Sequence, residues 1–369
     1  MAWASGMPDA KPLGVMPSRL KIPALLILAI LMIPWPATPS PAAGTDRGLL
    51  SVEFLYAIEY AGGRSDRLRE PMDIFVDRKT GELYIADAAI RKILIYDRNG
   101  MFVQAIDPGE KEGSARMVAV DAEGRMFLGH VNSPKISILD FRGNPLDALL
   151  LPGIVDAPGS AVRPMAIANG GSGGIYVLKT RGGVVKVDPD GVAHEEIPIS
   201  GEGAPNTIYG MAVDRNGRFL FTDMRPYSVV IYDPRGKTFK RFGSPGVLYG
   251  QLDRPIGIAA DDAGHIFVVS TVTNKVSCFD REGEFIEEFG KIGEGYGQFY
   301  MPSRIASDGR DRIYVLENTL KRVQVFKVRF LKEKEVVQET KTACTENSQE
   351  RRIASQSTPN NPLKKANLE

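Results

Sequence analysis

The sequence predicts an all-β fold, a six-bladed β-propeller of four-stranded antiparallel blades closed by an N-terminal strand that completes the last blade. Three observations carry this. Short apolar runs alternate with Gly/Asp/Asn turns, most plainly between Gly243 and Gly290. The runs there, 256–260, 266–269, 276–279 and 285–289, are each too short for an ordinary helix. The first of these runs recurs, beginning at Pro71, Ala115, Pro164, Ile208, Pro255 and Pro302. The spacing of 44 to 49 residues is that of a propeller blade, not of a helical solenoid. The last unit ends in residues 323–331 without a clear fourth strand, while residues 51–60 form a strand with no unit of its own. One such sheet cannot bury both faces, so it needs copies on each side, and a ring closed by the spare strand leaves no face open.

Taken in order, the chain opens with targeting sequence over 1–44. Arg19 and Lys21 precede an apolar run over 22–33, then Pro34, Trp35 and Pro36, then small residues to Gly44. This is the anatomy of a secretory signal. The run falls short of the ~20 apolar residues that span a bilayer. An exported protein of the periplasm or extracellular space is predicted, touching the membrane only through 22–33 if that run is retained. Met16 is an alternative start, and no cysteine follows the run to carry a lipid.

The propeller occupies 45–331. Within each unit a second strand follows a Gly-containing turn, at 83–86, 127–129, 175–178, 219–222, 266–269 and 313–316. Third strands end in Asp97, Asp140, Asp188, Asp233 and Asp280, and Lys327 breaks the rule in the last unit. Residues 332–369 are polar, with sparse apolar positions, and are predicted to be a disordered tail.

Composition excludes several function classes. Lys and Arg number 46 against 45 Asp and Glu, so net charge gives no sign of a nucleic-acid partner. Two cysteines, Cys278 in a third strand and Cys344 in the tail, make neither a disulfide framework nor a thiolate metal site.

The repeat resembles the NHL family. The signature is FG…YGQ, then an apolar residue and P-x-G-I-A-x-D-x-x-G-x-I. Tyr249-Gly250-Gln251-Leu252 through Asp261 and Tyr296-Gly297-Gln298-Phe299 through Asp308 carry it best. Units one and four are good matches. Units two and three are degenerate, with Ala115 in place of Pro and Gly170 in place of Asp. The resemblance implies a six-bladed ring whose loops at one end bind protein, RNA or other ligands. Related propellers include amidating lyases and gluconolactonase-like, paraoxonase-like and strictosidine-synthase-like enzymes with metal ligands around the central channel.

Two sets of residues are expected to line the same end of that channel. One stands at the start of the first strands: Asp73, Met117, Ala166, Gly210, Gly257 and Arg304. The other ends the second strands: Asp87, His130, Lys179, Asp223, Ser270 and Glu317. Asp73 and Arg304 are expected to pair across the closing seam. Asp87 and Glu317 are expected to pair with Lys92 and Arg322. His130, His194 and His265 fall in three different layers and do not converge, so no metal site and no cofactor are expected. The Gly170-Gly171-Ser172-Gly173-Gly174 stretch precedes a strand and so fails the context of a phosphate loop. What remains is a basic rim, with Arg69, Arg116, Arg163, Arg254 and Arg304, joined by Lys179, Arg181, Arg225 and the aromatic Tyr227. The sequence therefore points to a monomeric, non-catalytic scaffold that binds a protein or an anionic polymer. The alternative is a metal-dependent envelope hydrolase or lyase.

Overall fold

Twenty-four strands among the described residues build six four-stranded antiparallel sheets, without a helix. The computed structural model describes residues 49–331 except 64, 110–112, 131–132, 152–162, 171–173, 181 and 189–190. The segment expected to be targeting sequence, the tail with Cys344 expected to be disordered, Arg181 and the centre of the 170–174 glycine stretch lie outside the described residues.

Strand β1 (Leu49–Ile58) opens the chain. Blade one is β2 (Pro71–Val76), β3 (Leu83–Asp87), β4 (Lys92–Tyr96) and β5 (Phe102–Ile106). Blade two is β6 (Ala115–Val120), β7 (Met126–His130), β8 (Lys135–Leu139) and β9 (Pro145–Leu150). Blade three is β10 (Pro164–Asn169), β11 (Ile175–Lys179), β12 (Val184–Val187) and β13 (Ala193–Ile197). Blade four is β14 (Ile208–Val213), β15 (Phe219–Asp223), β16 (Ser228–Asp233) and β17 (Thr238–Phe242). Blade five is β18 (Pro255–Ala260), β19 (Ile266–Ser270), β20 (Lys275–Phe279) and β21 (Phe285–Phe289). Blade six is β22 (Pro302–Ser307), β23 (Arg312–Glu317) and β24 (Arg322–Leu331). All six first strands begin at the positions the repeat predicts.

Closure is as the sequence implies. β1 pairs antiparallel with β24, from Leu50 opposite Phe330 to Ile58 opposite Val323, so the first strand is the outer strand of the last blade. β24 runs on to Leu331, longer than the 323–326 core that the sequence marks clearly.

Among the described residues the buried apolar side chains form six clusters, one in each seam between neighbouring blades. The cluster at the closing seam sets Tyr314, Leu316, Val323 and Val325 of blade six against Ile74, Val76, Leu83, Ile85 and Leu94 of blade one. Between blades five and six lie Phe267, Val269, Val276 and the buried Cys278, against Ile305, Ile313, Val315 and Phe326. Each sheet hides both faces this way, and apolar burial at ~25 cal/mol per Å² is the main term holding the ring.

Turns follow their sequence. The aspartate after each of several first strands accepts amides of its own turn. Asp214 Oδ1 takes those of Asn216 and Arg218 at 2.8 and 2.9 Å, and Gly217, at φ +76°, supplies the left-handed step. Blade three has Gly170 there, and Gly170 N donates to Gly174 O at 2.9 Å.

Candidate functional site

The first strands of the blades line a central channel that contains a cavity of about 290 Å³. Each first strand starts with a β-bulge. In blade one Pro71 opposes Asp87 and Asp73 opposes Ala86. In blade four Ile208 opposes Asp223 and Met211 opposes Phe221, one residue more. The bulge breaks the strict alternation of side chains, as bulges beside binding sites do. Consecutive residues therefore line the channel: Met165 with Ala166, Tyr209 with Gly210, and Ile256 with Gly257.

The glycines are set by close approach. A Cβ on Gly210 would lie 2.2 Å from Ile256 O, and one on Gly257 would lie 3.1 Å from the Arg304 backbone. The first strands of blades four, five and six thus run tightly side by side. The cavity is lined by the first strands of all six blades.

One wall is charged. Arg304 Nε lies 3.5 Å from Asp73 Oδ1 across the closing seam, with the guanidinium side chain 32% exposed. Arg304 Nη1 donates to Ser303 O at 3.2 Å. Asp73 Oδ2 accepts the Val118 amide of blade two at 3.2 Å. Burial pushes the Asp73 carboxyl up to about 6, against the pull of Arg304 and the amides of Val118 and Ile74. The facing wall, from Met117, Met165, Tyr209 and Ile256, is apolar. Sequence reasoning missed Met165, Tyr209 and Ile256 because a strand without a bulge would turn them away from the channel.

The second expected set does not reach the channel. Asp87, His130, Lys179, Asp223, Ser270 and Glu317 are each no more than 5% exposed, and none lines the cavity. They anchor the loop that leads into their own blade. Asp87 accepts the amides of Arg69 and Glu70 at 2.7 and 3.0 Å. Asp223 accepts those of Asn206 and Thr207, both 2.9 Å, and Glu317 that of Tyr300, 2.8 Å. His130 Nδ1 lies 3.0 Å from Gly113 O, with Nε2 2.8 Å from Ser137 Oγ. Buried oxygens here satisfy backbone donors that burial would otherwise leave unpaired. The expected Glu317–Arg322 pair forms, 2.7 Å. The expected Asp87–Lys92 pair does not: Asp87 Oδ1 also serves the amides of Ala89 and Ile90, and Lys92 is exposed.

Among the expected rim cations, Lys179 is a correction. Its side chain is buried and its ammonium is paired with Glu196 on the fourth strand, so it points along its own blade and not to the rim. Arg69, Arg116, Arg225 and Arg254 are exposed and make no ion pair among the described residues. Arg163 and Tyr227 are half-buried, and Arg304 belongs to the channel wall. The loops are pinned close by: Thr271 N donates to Arg254 O and Thr180 N to Arg163 O.

The histidines are separated, as the layers imply. His194 Nε2 lies 2.9 Å from Asp188 on an outer strand, while His265 Nδ1 lies 2.7 Å from Asp261 in a turn at the far end. Among the described residues no three His, Cys, Asp or Glu side chains gather as metal ligands would.

A second feature of this end was not foreseen. The loops over blades five and six expose Val247, Leu248, Tyr249, Ile292, Tyr296, Tyr300 and Met301, with Leu248 69% and Ile292 68% accessible. The YGQ signature that marks the repeat carries part of this crest. A run of apolar residues outside any strand was the signal that could have found it.

A family described as a 6-bladed beta-propeller matches residues 254–353. None of the curated proteins matches the chain. Among solved structures, a structural-genomics protein of unknown function from Bacteroides thetaiotaomicron is similar at TM-score 0.55 and 14% identity, over 76% of each chain. A gluconolactonase from Xanthomonas campestris is similar at 0.53 and 15%, over 77% of this chain and 92% of that one. A virginiamycin B lyase from Staphylococcus aureus is similar at 0.51 and 13%, over 75% and 98%. At these identities the likeness is one of fold.

Proposed function

We propose that this protein is an exported binding scaffold of the NHL type, whose loop-bearing end docks an acidic, apolar-anchored segment of a partner protein. The observation that carries it is the crest over blades five and six, apolar and aromatic, standing beside Arg254. Tyr, Met and Arg around an apolar centre are the side chains that dominate protein interfaces. The exposed Arg69, Arg116, Arg225 and Arg254 favour an acidic partner and fast encounter. Preorganisation lowers the ordering cost: Gln251 and Gln298 accept amides of their own loops. Export rests on the reading of residues 1–44.

The test compares capture from envelope extract by the wild type, Leu248→Asp, Ile292→Asp and Arg254→Glu, with folding checked by circular dichroism. Proteins held by the wild type and lost from all three folded variants, with binding that weakens as salt rises, support the reading. Equal capture by all four overturns it.

One observation favours a second reading, a hydrolase or lyase working in the channel. A carboxyl raised to about 6 beside Arg304 on the channel wall suits general acid–base chemistry near neutral pH, and two of the proteins of similar fold are a gluconolactonase and a virginiamycin B lyase. Metal analysis of the purified protein and assay of lactone hydrolysis by wild type and Asp73→Asn decide it.

A further inference from the structure

We propose that the channel mouth is a second, separate site, which binds a small amphipathic carboxylate with its head on Arg304 and its tail on Met165, Tyr209 and Ile256. This goes beyond the docking of a partner on the loops and does not depend on it.

The argument starts from unused donors. A guanidinium carries five N–H groups in a planar fork. Arg304 spends one on Ser303 O, at 3.2 Å, and holds Nε 3.5 Å from Asp73, beyond a normal hydrogen bond. The rest of the fork is available at a partly exposed position on the cavity wall. Asp73 is the better satisfied partner, because its Oδ2 already takes the Val118 amide and Ile74 supplies another. The pair therefore has more spare capacity for an anion than for a cation. A carboxylate fits the fork with two parallel bonds.

The opposite wall sets the rest of the ligand. Met165 is flexible and polarisable, and adapts to irregular apolar shapes, while Met117 is packed in the seam between blades two and three behind it. Tyr209 and Ile256 continue that wall toward solvent, Tyr209 being 48% exposed. Ala166 adds a small side chain to the same lining. A cavity of about 290 Å³ has the size of small-ligand sites, and an apolar lining with a few converging polar groups is their usual character. Arg116 and Arg254 stand at the same end and bias arrival toward anions. The remaining charges on the channel lining, Asp77, Arg78, Lys79 and Asp121, lie at the other end of the first strands, where Arg78 is bonded to Asp262. Arg304 is thus the charge that faces Asp73 from the neighbouring first strand.

Asp73 sets the competition. Its carboxylate shares the Arg304 fork with the incoming ligand, so a ligand binds better when Asp73 is neutral. Binding should strengthen as pH falls through the range where Asp73 takes up its proton.

The experiment is calorimetric titration of the full chain with octanoate, with octylamine and octanol as charge controls. Octanoate should bind while octylamine does not. Arg304→Met should weaken octanoate by about tenfold or more, the loss expected for a charge-assisted pair. Tyr209→Ser, a change at an exposed residue, should weaken it by about threefold, consistent with loss of part of the apolar contact. Asp73→Asn should strengthen octanoate at pH 7.5 and abolish its pH dependence. The proposal is overturned if octylamine binds more tightly than octanoate, if no heat is seen with octanoate, or if folded Asp73→Asn leaves affinity and pH dependence as in the wild type. Because the crest variants leave the channel intact, loss of partner capture with octanoate binding retained separates this site from the loop face.

Discussion

Blades five and six share with blade two a buried core but, among the described residues, differ from it in how their outer strands are covered. All three blades carry three buried inner strands and contribute to a seam cluster. Over blades five and six, however, a twelve-residue loop lies back across its own blade, and its glutamine holds it. Gln251 Oε1 accepts Leu248 N at 3.1 Å, and Gln298 Oε1 accepts Gly295 N at 3.3 Å. Tyr249 packs edge-on against Phe285 at 5.0 Å and Tyr296 stacks on Phe54 at 4.9 Å, so each loop covers its outer strand. The outer strand β9 of blade two has no such cover among the described residues, and most of its own residues are exposed. The seams thus make the ring, while the loops decide which sector can carry a rigid surface.

The largest effect expected from breaking this contrast is at Arg322. Its guanidinium is buried against Glu317 at 2.7 Å and also donates to the carbonyls of Glu294, Gly295 and Gln298, which belong to the loop. Arg322→Ala leaves Glu317 as an uncompensated buried charge, at a cost of about 3–5 kcal/mol. His130 is the blade-two residue that bonds its entering loop, with Nδ1 against Gly113 O and Nε2 against Ser137 Oγ. His130→Ala should cost about 1–3 kcal/mol. Urea unfolding of the two variants checks the order, and equal losses would mean that the two sectors are anchored alike.

The same contrast explains what the sequence disclosed. First strands were legible to the residue because a Pro or its equivalent opens them and, in blades two, four and five, an Asp-x-x-Gly turn closes them. The closing strand was legible because residues 51–60 had nowhere else to pair. The channel wall was not, since the bulge at the second residue cannot be read from an alternating pattern, and it is what places Tyr209 and Ile256 there. The burial of Asp87, Asp223 and Glu317 was also hidden. A carboxylate before a turn looks the same in sequence whether it faces water or caps two amides.

Asp73 ties the two sectors together, since it meets Arg304 of blade six and the Val118 amide of blade two. Its carboxyl is raised from 3.8 to about 6. The folded state therefore binds more protons than the unfolded state between those values, and stability falls as pH rises through that window, then levels off. The full drop is about 3 kcal/mol at most, at 1.4 kcal/mol per unit, and solvent in the channel reduces it. Unfolding free energies of wild type and Asp73→Asn, compared from pH 4 to 7.5, should diverge over this window and run parallel above it.

A smaller effect sharpens the packing side of the comparison. Gly210→Ala pushes a methyl to 2.2 Å from Ile256 O, in the tight half of the channel, where backbone has to move. Overpacking of this kind costs about 1–3 kcal/mol. Blade three already has Ala166 at the equivalent position, so its first strand stands further from its neighbour, and Ala166→Gly should cost no more than about 1 kcal/mol, the entropic penalty of glycine in a strand. Thermal midpoints of the two variants test the asymmetry directly.

The smallest effect isolates the loop from the ring. Gln251→Ala removes the acceptor for the Leu248 amide but touches no seam cluster, so global stability should fall by only about 0.5–1.5 kcal/mol. The loop itself should respond more than that figure suggests. Gly246, at φ +151°, sits where any Cβ would meet Gln251 Oε1, so the glutamine fills the inside of the turn as well as bonding to it. Without that side chain the turn loses both its acceptor and its filling. Amide hydrogen exchange at Leu248 and Tyr249 should then speed up, while amides of β19 and β20 keep their protection. If exchange instead rises through the whole of blade five, the loop is part of the blade's cooperative core, and the division between a shared ring and separately held loops does not stand.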